Sequence, residues 1–563
     1  MNDVVAPESL SKCDRTPRSA AIPGVSSETG ALYTVSPSPL PVSGRAAQAL
    51  QIARTRGAGL GTGFAKLRLE IERAWQTVMH LDCREALVIA DLIEHHANAL
   101  SASVPKALRC EIAALRAVAF VLQDDEAAAL PAALSARGPD ASARTTHVAS
   151  TVCRSVYWRL GDLERFYAVE RVELDNRPAR MQAVSALYDL ALDAAVALDQ
   201  MRFSTARLLA GHAIEIGRRF LGTHVLAYVL PACIIAQVLY EQGHADEAEA
   251  LLVDRMPNIR ECWTVESGLR AHGLLARIAA SRGQHGRALV ILSEAEALGE
   301  RRGWARLRAA SLAHQVQIEV SNGRIEQAEG CLQRLAEFAD KSRTASSNVR
   351  FEIARVHTIA QARVALARSP SAVDLASLRQ VHRDTVWRGG LYAAVPIALL
   401  LVEALLVTGQ RAEAIGVLVG LLRAAPSVGL YQTFVDCSAP VAELIEDIVQ
   451  QRIVPLSDTR ELLPYADMLL TRRQRGAREA NEPFATRRPN VGAGLSERER
   501  LIVALMGRGL SNKQIAVELG IAPETVKSHA KHLYTKLSVR NRTEAVTLAS
   551  RLGLLEIPRS LPV

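Results

Sequence analysis

The residues best suited to chemistry lie near the end of the chain, where Lys527 and Lys531 are one helical turn apart. Apolar residues recur around them at the spacing of one face of a helix, and they form a stripe of Val526, Ala530, Leu533 and Leu537. The other faces of this helix are polar and basic, which suits phosphates and base edges in a major groove. The candidate DNA-binding side chains of this helix are Glu524, Thr525, Lys527, Ser528, Lys531, His532 and Thr535. The alternative is that the lysines are only solvated, and that the histidines pack or form hydrogen bonds.

Three further helices must position this one. The apolar spacing predicts four helices in all, over residues 496–507, 512–519, 523–537 and 543–552. The second helix begins after Ser511, an expected N-cap, and Gly520, Ile521 and Ala522 form a three-residue turn before the third. Two short helices joined by such a turn are a helix-turn-helix. Ser511, Asn512 and Lys513 are further DNA-binding candidates, because a helix N-terminus offers free N–H groups to a phosphate.

These motifs carry a family resemblance. Residues 495–555 resemble the LuxR/FixJ/GerE type of C-terminal DNA-binding domain. The matching motifs are LSERE (495–499), GLSNKQIA (509–516), LGI (519–521), TVKSH (525–529), KL (536–537) and RTEAV (542–546). The resemblance covers about 60 of the 563 residues, and its motifs are specific in combination.

The resemblance implies that the third helix is the recognition helix, with Lys527, Ser528 and Lys531 directed toward double-stranded DNA. It also implies that the fourth helix dimerises, so that a homodimer binds the DNA. The dimerisation candidates are Thr543, Val546, Thr547 and Ser550. One position departs from the family pattern, because Ala522 stands where a serine usually caps the recognition helix.

A repeat occupies the chain from about residue 64 to 455. A glycine is followed five residues later by an alanine at Gly243, Gly283 and Gly323, which are 40 residues apart, and again at Gly409. Weaker copies that begin at Leu81, Gly161 and Met201 keep the same phase, and Asp124 and Ala367 fall near the remaining positions of the period. A period of this length predicts stacked helical hairpins of a tetratricopeptide-like (TPR-like) kind. The glycine is expected to end one helix with a positive φ, and the alanine allows the next helix to approach closely.

This array loosely resembles the helical-repeat region of MalT-like regulators, and residues 429–445 resemble the segment that closes such arrays. Those proteins usually carry an ATPase module, but this sequence has no Gly-Lys-Ser/Thr phosphate loop. Residues 56–66 are glycine-rich and are predicted to be a flexible linker instead. ATP-dependent switching is therefore not expected.

Charge is distributed unevenly along the chain. Residues 471–563 hold seventeen Arg and Lys against eight Glu, a net charge of +9, whereas the whole chain carries +8. The remaining 470 residues therefore carry −1, and the basic excess indicates a nucleic-acid-binding end. Residues 471–490 are predicted to be a basic linker, and residues 1–60, rich in Ser, Pro and Gly, to be mostly disordered.

No enzyme class is favoured. The sequence has no HExxH, GxSxG or other catalytic motif, and none of its eight cysteines has CxxC spacing, so neither a metal nor a cofactor is predicted. No secretion signal begins the chain. The most apolar segment, residues 391–407, contains Pro396 and Glu403 and is shorter than a membrane span, which favours a cytoplasmic, nucleoid-associated protein.

The sequence thus predicts an all-α chain with four parts: a disordered segment (1–60), a TPR-like array (61–470), a basic linker (471–490) and a LuxR-type helix-turn-helix domain (491–563). We expect a transcriptional regulator that binds operator DNA in the major groove and contacts RNA polymerase. An unidentified protein or small-molecule signal on the array would control it. The alternative is a repeat scaffold for protein interaction, with DNA binding as an accessory property. A sigma-factor region is a weaker possibility.

Overall fold

The computed structural model describes residues 61–79, 83–100, 105–222, 228–260, 264–450, 461–481, 497–519, 521–536 and 541–551. Every regular element within these ranges is helical, which confirms the all-α prediction. Residues 1–60 and 482–490, predicted to be a disordered segment and part of a linker, lie outside the described residues.

The array contains most of the helices. Its first part comprises α1 (Gly61–Met79), α2 (Cys83–Leu100), α3 (Lys106–Leu122), α4 (Glu126–Ser135), α5 (Ala143–Leu160), α6 (Leu163–Ala168), α7 (Arg180–Asp199) and α8 (Phe203–Phe220). Its middle comprises α9 (Val229–Glu241), α10 (Ala245–Val253), α11 (Met256–Ile259), α12 (Val265–Ser281), α13 (His285–Arg302), α14 (Ala305–Ser321) and α15 (Ile325–Lys341). Its last part comprises α16 (Ser347–Arg368), a 3₁₀ turn (Pro370–Ala372), α17 (Leu375–Trp387), α18 (Leu391–Val407), α19 (Arg411–Val428), α20 (Gln432–Val435), α21 (Ala439–Val449) and α22 (Leu463–Asn481). Four helices follow near the end of the chain: α23 (Glu497–Gly507), α24 (Asn512–Leu519), α25 (Pro523–Lys536) and α26 (Arg542–Arg551).

The predicted repeat is confirmed by the backbone. The four repeat glycines all have positive φ: 88° at Gly243, 72° at Gly283, 70° at Gly323 and 82° at Gly409. The alanine five residues after each of them is fully buried between the two helices of its hairpin. Of the weaker positions, Leu81 lies outside the described residues, and Ala367 lies within α16 and marks no turn. The others behave in the same way, with φ of 76° at Gly161, 67° at Asp124 and 60° at Met201. The last two are the described non-glycine residues with positive φ, so the repeat imposes this turn even where glycine is missing.

The array curves back on itself, so that helices far apart in sequence come into contact. The indole N–H of Trp304 donates to the Leu122 carbonyl at 2.7 Å. Farther along, the Tyr431 N–H donates to the Glu241 carbonyl at 2.9 Å. These contacts enclose a large cavity, which we call the central cavity. Its walls come mainly from the first helix of successive hairpins: α12, α14, α16 and α18.

Two predicted linkers are wrong in part. Residues 471–481 continue α22 instead of starting a linker, and this helix packs on the array. The guanidinium of Arg473 donates to the carbonyls of Val435 and Cys437 at 2.7 and 2.6 Å, and that of Arg472 donates to the carbonyl of Gln242 at 3.3 Å. The basic composition was misleading because these arginines serve as donors to exposed helix-end carbonyls. Likewise, the second half of residues 56–66 already belongs to α1.

One described helix, α7, is long and apolar enough to cross a membrane, but 83% of its apolar window is buried inside the fold. The apolar segment 391–407 forms α18, which is likewise mostly buried. Both are therefore accounted for as core helices of the array.

Candidate nucleic-acid interface

Helices α23–α26 form a small module around one apolar core. The stripe predicted on α25 points inward, since Val526, Ala530 and Leu533 are at most 4% exposed. Ile502 of α23 and Ile515 of α24 are fully buried against them. Leu537, the last member of the predicted stripe, lies outside the described residues. Because the apolar face of α25 is used for packing, its opposite face is left for solvent or a ligand.

Ser511 caps α24, as predicted. The Gln514 N–H donates to the Ser511 hydroxyl at 3.4 Å, and the Ser511 N–H donates in return to the Gln514 side-chain carbonyl at 2.8 Å. This reciprocal pair is a capping box, which fixes where α24 begins. The sequence signal for it, Ser-x-x-Gln, was present but only the serine was recognised.

Arg542 is a positioning residue that the sequence reasoning missed. Its guanidinium donates to the carbonyl oxygen of Met506 in the last turn of α23 at 3.0 Å, and to that of Leu510 beyond the helix at 2.6 Å. Between them, Gly509 has a φ of 84°, which ends that helix. Arg542 therefore joins the start of α26 to the turn that leads into α24.

The outward face of α25 carries most of the predicted DNA-binding residues. Glu524, Thr525, Lys527, Ser528 and Lys531 are all exposed. The Lys527 ammonium lies 2.7 Å from the Glu524 carboxylate, with side-chain exposures of 61% and 78%. An ion pair this exposed contributes at most about 1 kcal/mol, so Lys527 can exchange its partner for a phosphate or a base at little cost. Lys513 is exposed at the start of α24, and Asn512 beside it is half-buried.

The other predicted site residues are placed only in part. His532 and Thr535 on α25, and Thr543, Thr547 and Ser550 on α26, have side chains outside the described part of the structure. Val546 is half-buried and packs against the core of its own module. It thus supports the module itself, and its role in dimerisation stays a prediction.

Ala522 precedes α25 and gives that helix no side-chain cap. The N–H groups of Thr525 and Val526 donate to the backbone carbonyl of Ala522 at 3.0 and 3.2 Å. Among the described residues, these N–H groups of the first turn of α25 therefore bond to a backbone carbonyl and not to a capping side chain.

The central cavity of the array has a volume of about 1900 Å³, and eleven arginines but only six carboxylates line it. Several of these arginines have only neutral acceptors: Arg388 donates to the Asn348 side chain at 2.8 Å and stacks over Phe351, and Arg472 and Arg473 donate to backbone carbonyls. Burial, with the nearby Arg363 and Arg277 guanidiniums, lowers the pKa of His314 in this cavity to about 4. Six of the eleven arginines form ion pairs, some with carboxylates behind the lining such as Asp124, Glu241 and Glu249. The positive charge that these pairs do not balance therefore lies mainly around Arg388, Arg472 and Arg473.

No group of His, Cys, Asp and Glu that could hold a metal ion occurs in the described ranges. Cys83, Cys110, Cys153 and Cys233 are buried and Cys331 and Cys437 are half-buried, and none of these described cysteines forms a disulfide. Burial raises the pKa of Cys437 to about 11, which keeps its thiol protonated and unreactive.

Comparison with protein families gives two matches. Residues 110–451, more than half of the chain, match the family described as "MalT-like TPR region". Residues 493–549 match "Bacterial regulatory proteins, luxR family". The second match covers the module α23–α26, and the first covers most of the array.

Individual proteins resemble the chain over the same regions. The "HTH-type transcriptional regulator MalT" of Vibrio cholerae serotype O1 is 26% identical over 463 residues, which is 78% of this chain and 49% of the relative. The "Transcriptional regulatory protein YdfI" of Bacillus subtilis (strain 168) is 43% identical over 63 residues, 11% of this chain and 30% of that protein. The chain thus spans about half of the length of the MalT relative.

A solved structure is also similar in part. "Crystal Structure of Rap Protein Complexed with Competence and Sporulation Factor" aligns with 74% of this chain and 99% of that chain, with a TM-score of 0.39 and 11% identity.

Proposed function

Because the chain belongs to the MalT-like TPR family through residues 110–451 and carries a luxR-family domain at 493–549, we propose that it is a DNA-binding transcriptional regulator. In this proposal α25 enters the major groove of operator DNA and reads base edges. The helical array receives the signal or partner that controls this binding. Similarity to transcriptional regulators over both parts of the chain supports the proposal.

The observation that carries the proposal is the division of α25 into two faces. Its apolar stripe packs into the core of the module, whereas Lys527, Ser528 and Lys531 are exposed together on the outer face. A helix presented in this way fits the major groove, where lysine bonds to guanine O6 and N7 and serine to bases or phosphates. Lys513 and the free N–H groups at the start of α24 would hold a phosphate beside the groove.

The array is the proposed control region. Its central cavity lies on the inner face of successive hairpins, which is the surface that solenoid proteins use for binding. The arginines there that donate to neutral acceptors, Arg388, Arg472 and Arg473, favour an anionic signal molecule or an acidic partner surface.

The proposal extends to assembly and location. Two copies joined through α26, with Thr543, Thr547 and Ser550 at the contact, would present two recognition helices to half-sites about one helical turn of DNA apart. The DNA-bound dimer would contact RNA polymerase and reside in the cytoplasm on the nucleoid. We assign the chain no catalytic activity of its own.

We further propose that the chain from residue 61 onward is divided into three parts. The array runs from residue 61 to 481, since α22 packs on it. Residues 482–490 connect it to the luxR-family domain at 491–563.

The direct test is to incubate the purified full chain with sheared genomic DNA of its host at two salt concentrations and to sequence the bound fragments. The proposal expects enrichment of a two-fold symmetric sequence whose half-sites are about one helical turn apart and whose selection persists at the higher salt. Binding that shows no sequence enrichment and is lost at the higher salt would contradict the proposal. It would favour a scaffold that contacts only the phosphate backbone of the DNA.

A further inference from the structure

A second, smaller cavity lies among the first helices of the array, apart from the central cavity. It has a volume of about 110 Å³ and is bounded mainly by α1, α3, α5 and α7, with Leu230 of α9 and residues 264–266 at the start of α12. Its walls are almost wholly apolar, and the largest contributors are Trp75, Trp158, Met181, Tyr188 and several valines. We call it the indole cavity after its two tryptophans.

Three buried polar atoms of the wall make no hydrogen bond among the described residues: Trp75 Nε1, Thr151 Oγ1 and Arg159 Nε. Two of them lie beside charged partners, because Arg159 pairs with Asp124 and Glu126 through Nη2 and Thr151 interacts with the Asp189 carboxylate. The Trp75 N–H is the one that remains. Trp75 is only 6% exposed, and its indole Nε1 is buried without a hydrogen-bond acceptor among the described residues. A buried donor left unpaired is costly, and buried polar atoms in native folds are rarely left in this state. The indole cavity therefore combines apolar walls with one donor that needs an acceptor.

From this combination we propose that the indole cavity binds a small, uncharged molecule with a single aromatic ring and one hydrogen-bond acceptor. The ring would pack between the tryptophans and the valines, and the acceptor would receive the Trp75 N–H. The volume sets the size of the molecule, because an apolar protein cavity of comparable volume, about 150 Å³, takes up one benzene. A charged ligand is disfavoured, because the two charged side chains that reach the wall, Arg159 and Glu266, are already paired with Asp124 and Arg306.

The position of the indole cavity links it to the rest of the array. Trp158, Arg159 and Glu266 line both this cavity and the central cavity. Arg159 pairs with Asp124, and Glu266 accepts from Arg306 at 2.7 Å, so both belong to the buried ion network that joins α3 to α14. A bound ring would fill space directly beside the contacts that close the array.

The test uses two probes of similar shape, acetophenone and ethylbenzene, which differ in that only the ketone carries an acceptor. Binding to the purified full chain is measured by isothermal titration calorimetry in the absence of DNA, so the result does not depend on the proposed function. We expect saturable binding of both probes, with acetophenone tighter by about 2- to 10-fold, the worth of one hydrogen bond.

Two variants complete the design. Trp75→Phe keeps a ring in the wall but removes the donor, so it should bring acetophenone to the affinity of ethylbenzene. Val184→Phe fills the cavity, because Val184 is one of its lining residues, and should abolish binding of both probes while circular dichroism reports an intact helical fold. The proposal is overturned if neither probe binds the wild-type chain, if both bind it equally, or if Trp75→Phe leaves the preference for acetophenone unchanged. Retained binding in a folded Val184→Phe variant would also overturn it.

Discussion

The carboxylate of Asp124 accepts two hydrogen bonds from the guanidinium of Arg306, at 3.0 and 2.7 Å, across a sequence separation of 182 residues. Both side chains are buried, with 3% and 8% exposure, and Arg159 also pairs with this carboxylate. Asp124 occupies a repeat turn with positive φ, so the same residue ends a helix and joins the first helices of the array to α14.

We predict that Asp124→Asn lowers the free energy of unfolding of the array by about 3–5 kcal/mol, because it removes the buried carboxylate that Arg159 and Arg306 share and leaves them only Glu126 and Glu266. Asparagine also tolerates positive φ, so the backbone of the turn is not strained by the change. The measurement is urea denaturation followed by circular dichroism. Glu413→Gln is the matched control: it breaks the more exposed pair with Arg379 and should change stability by at most about 1 kcal/mol. Equal losses in the two variants would show that the buried network does not hold the array together.

Asp189 should make the free energy of unfolding of the array fall as the pH rises, which is the opposite of the effect of a typical salt-bridged acid. Its carboxyl group is 1% exposed, and burial raises its pKa from 3.8 to about 6, against the opposing effect of Arg154. The folded state therefore holds the proton more tightly than the unfolded chain does. The resulting stability is fully present below about pH 4 and is lost as the pH rises through 6.

We predict that the free energy of unfolding of the wild-type chain falls by about 2–3 kcal/mol relative to Asp189→Asn between pH 4 and 6, and that the difference is constant above about pH 7. The measurement is urea denaturation of both proteins at half-unit pH steps. Parallel profiles would mean that Asp189 stays ionised in the fold.

The repeat turns predict opposite effects of one added methyl group at two glycines. Gly323 has a φ of 70°, whereas Gly330 lies within α15, and a Cβ at either site would meet no atom within 4 Å. Gly323→Ala should therefore destabilise by about 1–2 kcal/mol through backbone strain alone. Gly330→Ala should stabilise by up to about 1 kcal/mol, because alanine favours the helix. The shift in the midpoint of thermal unfolding should have opposite signs in the two variants, and the same sign in both would contradict the assigned turn.

A missing cap on α25 should be repairable. Ala522→Ser would supply a hydroxyl acceptor at the N-cap and stabilise the helix by about 1 kcal/mol, roughly a 5-fold increase in the protection of its first amides. The measurement is hydrogen exchange of the full chain by mass spectrometry. Ala522→Val, which adds bulk without an acceptor, serves as the control. Unchanged protection in the serine variant would show that this end of α25 does not limit its opening.

The sequence was most informative where one residue type has one local role. The turns at Gly323 and the three other repeat glycines could be predicted, and so could the buried face of α25 from the stripe between Val526 and Leu533. Both patterns are set by helix geometry over a few residues. The fourth-helix boundary was misjudged by one residue, and Gln514 was overlooked although its spacing from Ser511 was visible.

Long-range pairing could not be foreseen. No periodicity connects Asp124 to Arg306, and the unpaired Trp75 N–H exists only because four helices meet around it. The arginines of α22 looked like a solvated charge run because composition does not reveal that Arg473 reaches helix-end carbonyls.

The exposed face of α25 is the surface proposed to read DNA, and one binding measurement tests its role directly. A fragment selected by the wild-type chain is titrated with Lys527→Ala/Lys531→Ala and with Lys106→Ala/Lys341→Ala, in which two exposed lysines of the array are removed with the same change in net charge. We predict that the first variant loses about 10-fold or more in affinity for the selected fragment, because each base contact contributes about 1–3 kcal/mol, while the second binds like the wild type. Equal binding by all three proteins, or an equal loss in both variants, would contradict the assignment of α25 as the DNA-reading helix.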